Sequence, residues 1–141
     1  MAGQKSASRE HSSRAIEMRA ELARKVTAHI HTEGEENTDI PGVSLYRRTA
    51  PTFCTSSTHE PKLMVFIQGR KRIRCGHAAY LCDNSTFLLT SVELPVVSQV
   101  INATNEKPLL ALLLKLDMRT VREIVSREDF PPFGMPTGTR E

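Results

Sequence analysis

The sequence predicts a mainly β fold, a small barrel or sandwich with one helix before it and one after it. After Ile40 the chain is built of many short apolar segments at close, regular spacing, separated by turn residues. Before that point, apolar residues recur at spacings of three and four, which indicates a helix. After the last segment, Asp117 has the character of a helix N-cap, and apolar residues follow it at helical spacing.

The first predicted helix begins at Ser13, where a single apolar stripe starts. The stripe consists of Ala15, Met18, Leu22, Val26 and Ile30. Residues 1–12 are small, polar and charged, and we expect them to be disordered. Gly34 ends the helix. The acidic residues 33–39 then form a polar link to the β region.

Seven segments are predicted as strands, each bounded by turn residues. They are Val43–Arg48, Lys62–Gln68, Lys71–Cys75, Ala78–Leu81, Thr86–Ser91, Val96–Asn102 and Leu109–Leu116, with a further short strand around Phe53. The leucine-rich residues 109–114 are apolar on both faces. This pattern predicts a central strand, or an interface strand covered by a helix.

The stretch MVFIQGRKRIRCG, residues 64–76, combines an apolar run with four basic residues. Residues 64–67 are apolar on both faces, and Gln68-Gly69 supplies a turn. Ile73 and Cys75 then share one face of the next strand, opposite Arg72 and Arg74. We predict a hairpin with one solvated strand. A nucleic-acid patch is the less favoured alternative, because no aromatic residues alternate with the charges for base stacking.

The bulk properties favour one soluble domain. The chain has 141 residues, which is enough for one core. Its net charge of +3, from 19 basic and 16 acidic residues, is too balanced to indicate nucleic-acid binding. No apolar run approaches the roughly 20 residues of a membrane span, and the N-terminus lacks the apolar core of a signal peptide, so we expect a cytoplasmic protein with no membrane partner. Three cysteines without paired spacing do not indicate a disulfide framework.

A series of landmarks across residues 13–127 resembles the N-terminal domain of one branch of the AraC-type bacterial transcriptional regulators. The landmarks are, in order, Ile40-Pro41-Gly42-Val43, Tyr46-Arg47, Pro51, His59-Glu60-Pro61, Phe66-Ile67-Gln68-Gly69-Arg70-Lys71, Ser91-Val92-Glu93-Leu94-Pro95, Pro108-Leu109-Leu110-Ala111 and Leu116-Asp117. The segments QGRK and SVELP are the most telling. The chain departs from the pattern at His59, where this branch commonly has an aromatic residue.

The resemblance implies a cupin-like β-barrel that senses an unknown small-molecule effector and, in many relatives, forms a homodimer. DNA is then bound only by a separate C-terminal domain with two helix-turn-helix motifs. Residues 128–141, rich in Pro and Gly, are expected to be the linker towards that domain. The alternatives are a cupin-type metal-dependent enzyme and a stand-alone dimerising cupin protein.

A small barrel can hold one ligand in its mouth, with the inward side chains taken from alternate residues of each strand. The candidate pocket residues are His59, Phe66, Gln68, Tyr80 and Phe87. The alternative is that Phe66 and Phe87 are simply core residues, because side chains alone can fill a barrel of about eight strands.

No catalytic, metal or cofactor site is predicted, and we expect the chain not to be an enzyme. His29 and His31 lie at the predicted helix end, where side chains two residues apart diverge by about 200° and cannot easily share an ion. Cys75, His77 and Cys82 could supply soft ligands, but their spacing is not a standard zinc signature. No Ser-His-Asp order, carboxylate pair or Gly-rich phosphate loop stands out.

Overall fold

The computed structural model of the chain describes residues 3–127. These residues form nine strands and two helices, which confirms the predicted mainly β fold. The elements are α1 (Gly3–His29), β1 (Gly34–Asn37), β2 (Val43–Arg48), β3 (Thr55–His59), β4 (Lys62–Gln68), β5 (Arg70–Cys75), β6 (Ala78–Cys82), β7 (Phe87–Thr90), β8 (Leu94–Asn102), β9 (Leu109–Lys115) and α2 (Met118–Val125).

The strands form two antiparallel sheets. The large sheet has the order β1-β2-β9-β4-β7, and the small sheet has the order β3-β8-β5-β6. Within residues 3–127 no strand pairing joins the two sheets into a closed barrel. The cupin-like barrel implied by the resemblance is therefore not confirmed, and the observed architecture is two sheets with a common core.

The main core contains the inward side chains of the two sheets, taken from alternate residues of each strand. Met64 and Phe66 of β4 lie in it, with Ile73 of β5 and with Leu109 and Ala111 of β9. Each large side chain buried here contributes about 1.5–3 kcal/mol of hydrophobic free energy. Cross-sheet packing of this kind holds the sheets together where no backbone hydrogen bonds do.

A second core lies between α1 and the outer face of the large sheet. Val26 and Ile30 of α1 are buried against Leu45 of β2, Ile67 of β4 and Leu110 of β9. This arrangement explains the leucine-rich run, because β9 lies between β2 and β4 and is covered by the main core on one face and by α1 on the other. The prediction of a central strand is confirmed.

The predicted hairpin over residues 64–76 is wrong. β4 pairs with β7 and β9 in the large sheet, whereas β5 pairs with β6 and β8 in the small sheet. The Gln68-Gly69 turn therefore carries the chain from one sheet to the other. The observed hairpin is β5–β6, which turns at Gly76, where φ is +58°. Arg72 and Arg74 are exposed on the outer face of β5, as predicted.

The predicted ends of the other strands agree with the structure within two residues, and three further regions differ more. Residues 34–37 of the expected polar link form β1, which pairs with β2. The strand expected around Phe53 is β3, and Phe53 itself is 93% exposed before it. α1 begins at Gly3 rather than at Ser13. The helix after Asp117 is confirmed as α2, with the Asp117 carboxylate accepting from Arg119 N at 3.0 Å.

Residues 128–141, expected to be a linker, lie outside the described residues, and the domain boundaries stay predictions. Neither α1 nor α2 combines the length and the apolar character that a helix needs to cross a membrane.

Candidate ligand-binding cavity

A cavity of about 300 Å³ lies between the two sheets. Its walls come from β1, β2, β4 and β9 of the large sheet, from β3, β5 and β8 of the small sheet, and from the segment before β3. They are formed by Glu35, Tyr46, Arg48, Thr52, Thr55, Ser57, Thr58, His59, Lys62, Met64, Lys71, Ser98, Val100 and Leu113. Short hydroxyl side chains on β3 and β8 leave open space here, whereas larger apolar side chains fill the main core.

Lys71 is the most deeply buried cation of the cavity wall, at 6% exposure. It shares the inward face of β5 with Ile73 and Cys75, because side chains alternate along the strand. Its ammonium nitrogen lies 4.6 Å from the centroid of the Tyr46 ring, a cation–π distance. Burial lowers the pKa of Lys71, and neighbouring Arg48 lowers it further, whereas Cys82 and, less strongly, Glu35 oppose the shift.

Two more basic side chains line the cavity from the large sheet. Burial also lowers the pKa of Lys62, and Glu35 partly offsets this effect. Arg48 Nε donates to Tyr46 Oη at 3.0 Å, and this hydrogen bond raises the pKa of Arg48. Arg48 Nη1 lies 4.0 Å from Glu33, a weak ion pair at the edge of the site.

Among the described residues, Glu35 is the one carboxylate in the cavity wall. Its Oε1 accepts a hydrogen bond of 2.6 Å from Ser44 Oγ, so it is already partnered across the β1–β2 pair. A neighbouring depression of about 280 Å³ shares Glu35, Thr58, Lys62 and Leu113 with the cavity. The cavity wall itself contains the basic side chains of Arg48, Lys62 and Lys71, so positive charge exceeds negative charge there.

His59 ends β3 and is 5% exposed. Its Nδ1 is buried and makes no hydrogen bond to any residue that the structure describes. Burial lowers the pKa of His59 to about 4, and the charges of Lys62 and Lys71 act in the same direction. The imidazole is therefore neutral at pH 7, and its buried Nδ1 has no hydrogen-bond partner among the described residues.

Of the five predicted pocket residues, His59 alone belongs to the wall of this cavity. Phe66 is buried in the main core, and Tyr80 packs against that core from β6. Gln68 Nε2 donates to the Pro108 carbonyl at 2.7 Å, and Phe87 is 68% exposed on the edge strand β7. The assignment of these side chains to a ligand stays a prediction.

The sequence interpretation missed Lys71, Arg48 and Tyr46. Lys71 had a usable signal, since it falls in the same alternation as Ile73 and Cys75 and must face inward with them. The prediction assigned only Ile73, Cys75, Arg72 and Arg74 to faces of this strand. Arg48 and Tyr46 likewise share one face of β2, but no pattern in the sequence shows that a cavity lies beneath them.

The soft-ligand set does not converge. Cys82 pairs with Lys71 at one end of the β5–β6 hairpin, and Cys75 lies at the other end, roughly 13 Å away along the strands. Burial raises the pKa of the Cys82 thiol to about 11, and His77 is exposed in the turn. His29 and His31 lie at the end of α1, outside the two-sheet core. Among the side chains that the structure describes, in residues 12–127, no three His, Cys, Asp or Glu residues are grouped so that they could hold a metal ion.

Two sheets around a partly open cavity, lined by both polar and apolar side chains, define a mainly β domain of a shape suited to holding a small molecule. Comparison with protein families assigns the chain more narrowly. The model of the family described as AraC-type transcriptional regulator N-terminus matches residues 39–140, and the chain belongs to this family. Searches of curated proteins and of solved structures found no match.

Proposed function

We propose that this chain is the effector-sensing regulatory domain of an AraC-type transcription factor, and that it controls a separate helix-turn-helix DNA-binding domain. The observation that carries the proposal is the cavity between the sheets in a chain of this family. Its volume lies at the lower end of the range of small-molecule sites. The facing sheets around this cavity also support the cupin-like arrangement that the resemblance implies.

The strands that line the cavity also contact α1, so a change in these strands on ligand binding can alter the position of α1. On β2, Tyr46 faces the cavity and Leu45 packs beneath α1. On β9, Leu113 faces the cavity and Leu112 packs towards α1. A ligand that prefers one arrangement of these strands would shift the position of α1 by population shift.

We further propose that the domain forms a homodimer through α1 in the cytoplasm. The apolar stripe of α1 continues beyond the residues that pack on the large sheet, and Met18 and Leu22 are exposed on it. A second copy of the same helix would bury this stripe. The dimer would in turn set the spacing of two DNA-binding domains.

A reporter assay tests the proposed function. Residues 1–141 are fused to a DNA-binding module that is monomeric on its own and represses its operator only when a fusion partner dimerises it. Cells that carry the fusion are then exposed to a panel of small metabolites. We expect repression from the fusion and a change in reporter output with at least one compound. A fusion that never represses, or that represses without responding to any compound, would refute a sensing and dimerising role.

A matched pair of variants ties the response to the cavity. Ser98→Phe fills the cavity from β8, whereas Ser56→Phe adds the same ring on β3 at a position outside the cavity wall. The compound response should be lost in the first variant and kept in the second. An unchanged response in Ser98→Phe would place the sensing site elsewhere.

A further inference from the structure

The charge balance of the cavity indicates what kind of ligand it can hold. Among the described residues of the wall, three basic side chains, Arg48, Lys62 and Lys71, accompany one carboxylate, Glu35, which is already hydrogen-bonded. Arg48 also makes a weak ion pair with Glu33, which lies outside the wall. Each of the three comes from a different strand, so the excess is a property of the assembled sheets. Charges of one sign in a partly buried wall repel each other unless a counter-charge lies between them.

Lys71 is the strongest single indication that the cavity holds a negatively charged group. Its side chain is buried in the cavity wall, and no carboxylate in residues 12–127, whose side chains the structure describes, forms an ion pair with it. The ring of Tyr46 compensates only part of the hydration that a buried ammonium group loses. Lys62, on the facing sheet, is likewise without an ion-pair partner among the described residues.

His59 is an independent observation at the same wall. Its buried Nδ1 has no partner in the described part of the chain, and buried polar atoms are nearly always hydrogen-bonded. In the tautomer that is protonated at Nδ1, the neutral imidazole donates a hydrogen bond. A ligand that offers an acceptor would satisfy this atom together with the two lysines.

The remaining wall is apolar. Met64 of β4, Val100 of β8 and Leu113 of β9 present aliphatic side chains, and Tyr46 adds an aromatic ring. The cavity volume equals about ten water molecules. It therefore suits a compact molecule of roughly ten non-hydrogen atoms, with one polar end and one apolar end.

We propose that the cavity binds a small organic anion, whose carboxylate or phosphate group lies between Lys71 and Lys62 and accepts a hydrogen bond from His59. Arg48 adds positive charge from β2, and the apolar part of the ligand packs on Met64, Val100 and Leu113. This inference rests on the proposed function and names the chemical class of the effector.

Isothermal titration calorimetry on residues 1–141 tests it with three probes of equal ring size: benzoate, phenyl phosphate and benzamide, all at constant ionic strength. We expect at least one of the two anions to bind at least about tenfold more tightly than the neutral amide. The stronger of the two anions identifies the headgroup. Equal affinity for all three probes, or no measurable binding of either anion, overturns the proposal.

Two variants of β5 provide the matched control. Lys71→Met removes one positive charge from the cavity at nearly constant length, and Arg74→Met removes one from the exposed face of the same strand. The anion should bind at least about tenfold more weakly to Lys71→Met and with unchanged affinity to Arg74→Met. Equal losses of affinity in both variants would indicate that the anion responds to the overall charge of the protein rather than to a specific site. A thermal melt confirms that each variant is folded.

The anion-binding proposal and the proposed regulatory function can be refuted independently. If benzamide binds and the anions do not, the anion inference is wrong while effector sensing stands. If benzoate or phenyl phosphate binds in a manner that depends on Lys71, but the reporter fusion responds to no compound, the site stands and the regulatory function is wrong.

Discussion

Single residues determine the chemistry of the cavity, and His59 shows most directly what burial does. A histidine whose pKa falls to about 4 in the folded protein cannot take up a proton without a cost in stability. The positive charges that face it are those of Lys62, Lys71 and Arg48, on three other strands, and Glu35 is the one carboxylate of the same wall. Burial and charge therefore both keep the ring neutral.

We predict that acid destabilises the protein through His59. The unfolded chain protonates this histidine near pH 6.5 and the folded chain near pH 4, so the free energy of unfolding falls as the pH drops through this window. At pH 4.5 the loss attributable to His59 amounts to about 2 kcal/mol. Urea denaturation at pH 7, 5.5 and 4.5 measures it.

The His59→Gln variant should lose less stability across that range than the wild type. His77→Gln, at an exposed position in the β5–β6 turn, should follow the wild-type pH dependence. Carboxylates that titrate at the lower end affect all three proteins alike, so the difference between the profiles reports His59. Parallel profiles for His59→Gln and the wild type would contradict the prediction.

Among the structural elements, the joint between β4 and β5 decides how the chain is divided between the sheets. Gly69 adopts a φ of +81°, which L side chains rarely adopt. A Cβ atom at this position would lie 2.8 Å from the Asn102 carbonyl oxygen and 2.8 Å from Leu109 Cα. Backbone of β8 and β9 therefore closes over the joint, and a side chain has no room there.

We predict that Gly69→Ala lowers the free energy of unfolding by about 3 kcal/mol, since it combines a left-handed backbone with overpacking against the main chain. Gly76→Ala is the control, because its φ of +58° carries a similar backbone cost while nothing lies within 4 Å of the added atom. Its loss should be about 1 kcal/mol. Chemical denaturation compares the two, and equal losses would show that crowding at Gly69 is unimportant.

The same elements show how far the sequence predicts this fold. The bounds of β2 and β4 agree with the prediction, because their apolar patterns and the flanking turns are local features. The pairing of β4 and β5 was wrong because the turn signal at Gly69 does not say which sheet the chain enters next. β1 was missed because Gly34–Asn37 has no apolar pattern of its own and is extended through its pairing with β2.

For the whole molecule, the candidate site depends on the assembly of both sheets, and this limits what sequence could reveal. His59 was found because it departs from the family pattern. Lys71 faces inward by the alternation of β5, but its partner ring, Tyr46, lies on the other sheet. A juxtaposition of this kind is set by the packing of the two sheets and has no trace in the spacing of residues along the chain.

A ligand held between the sheets should stabilise both of them at the cavity end, and hydrogen exchange can detect this. The benzoate or phenyl phosphate probe is added at about 100 times its dissociation constant. Local unfolding events that release the ligand should then become about a hundredfold rarer. We predict slower amide exchange in β2 and β4 of the large sheet and in β3 and β5 of the small sheet. The β5–β6 turn at Gly76, far from the cavity, should exchange at its unliganded rate.

The Lys71→Met variant serves as the control, since the same probe concentration should leave its exchange pattern unchanged. Slower exchange confined to one sheet would contradict a ligand bound between the sheets and would indicate a surface site on that sheet instead. The protection from exchange could also extend from both sheets to α1. It would show that the strands carry the effect of the ligand through their alternate residues to the helix on the outer face, as a regulatory domain requires.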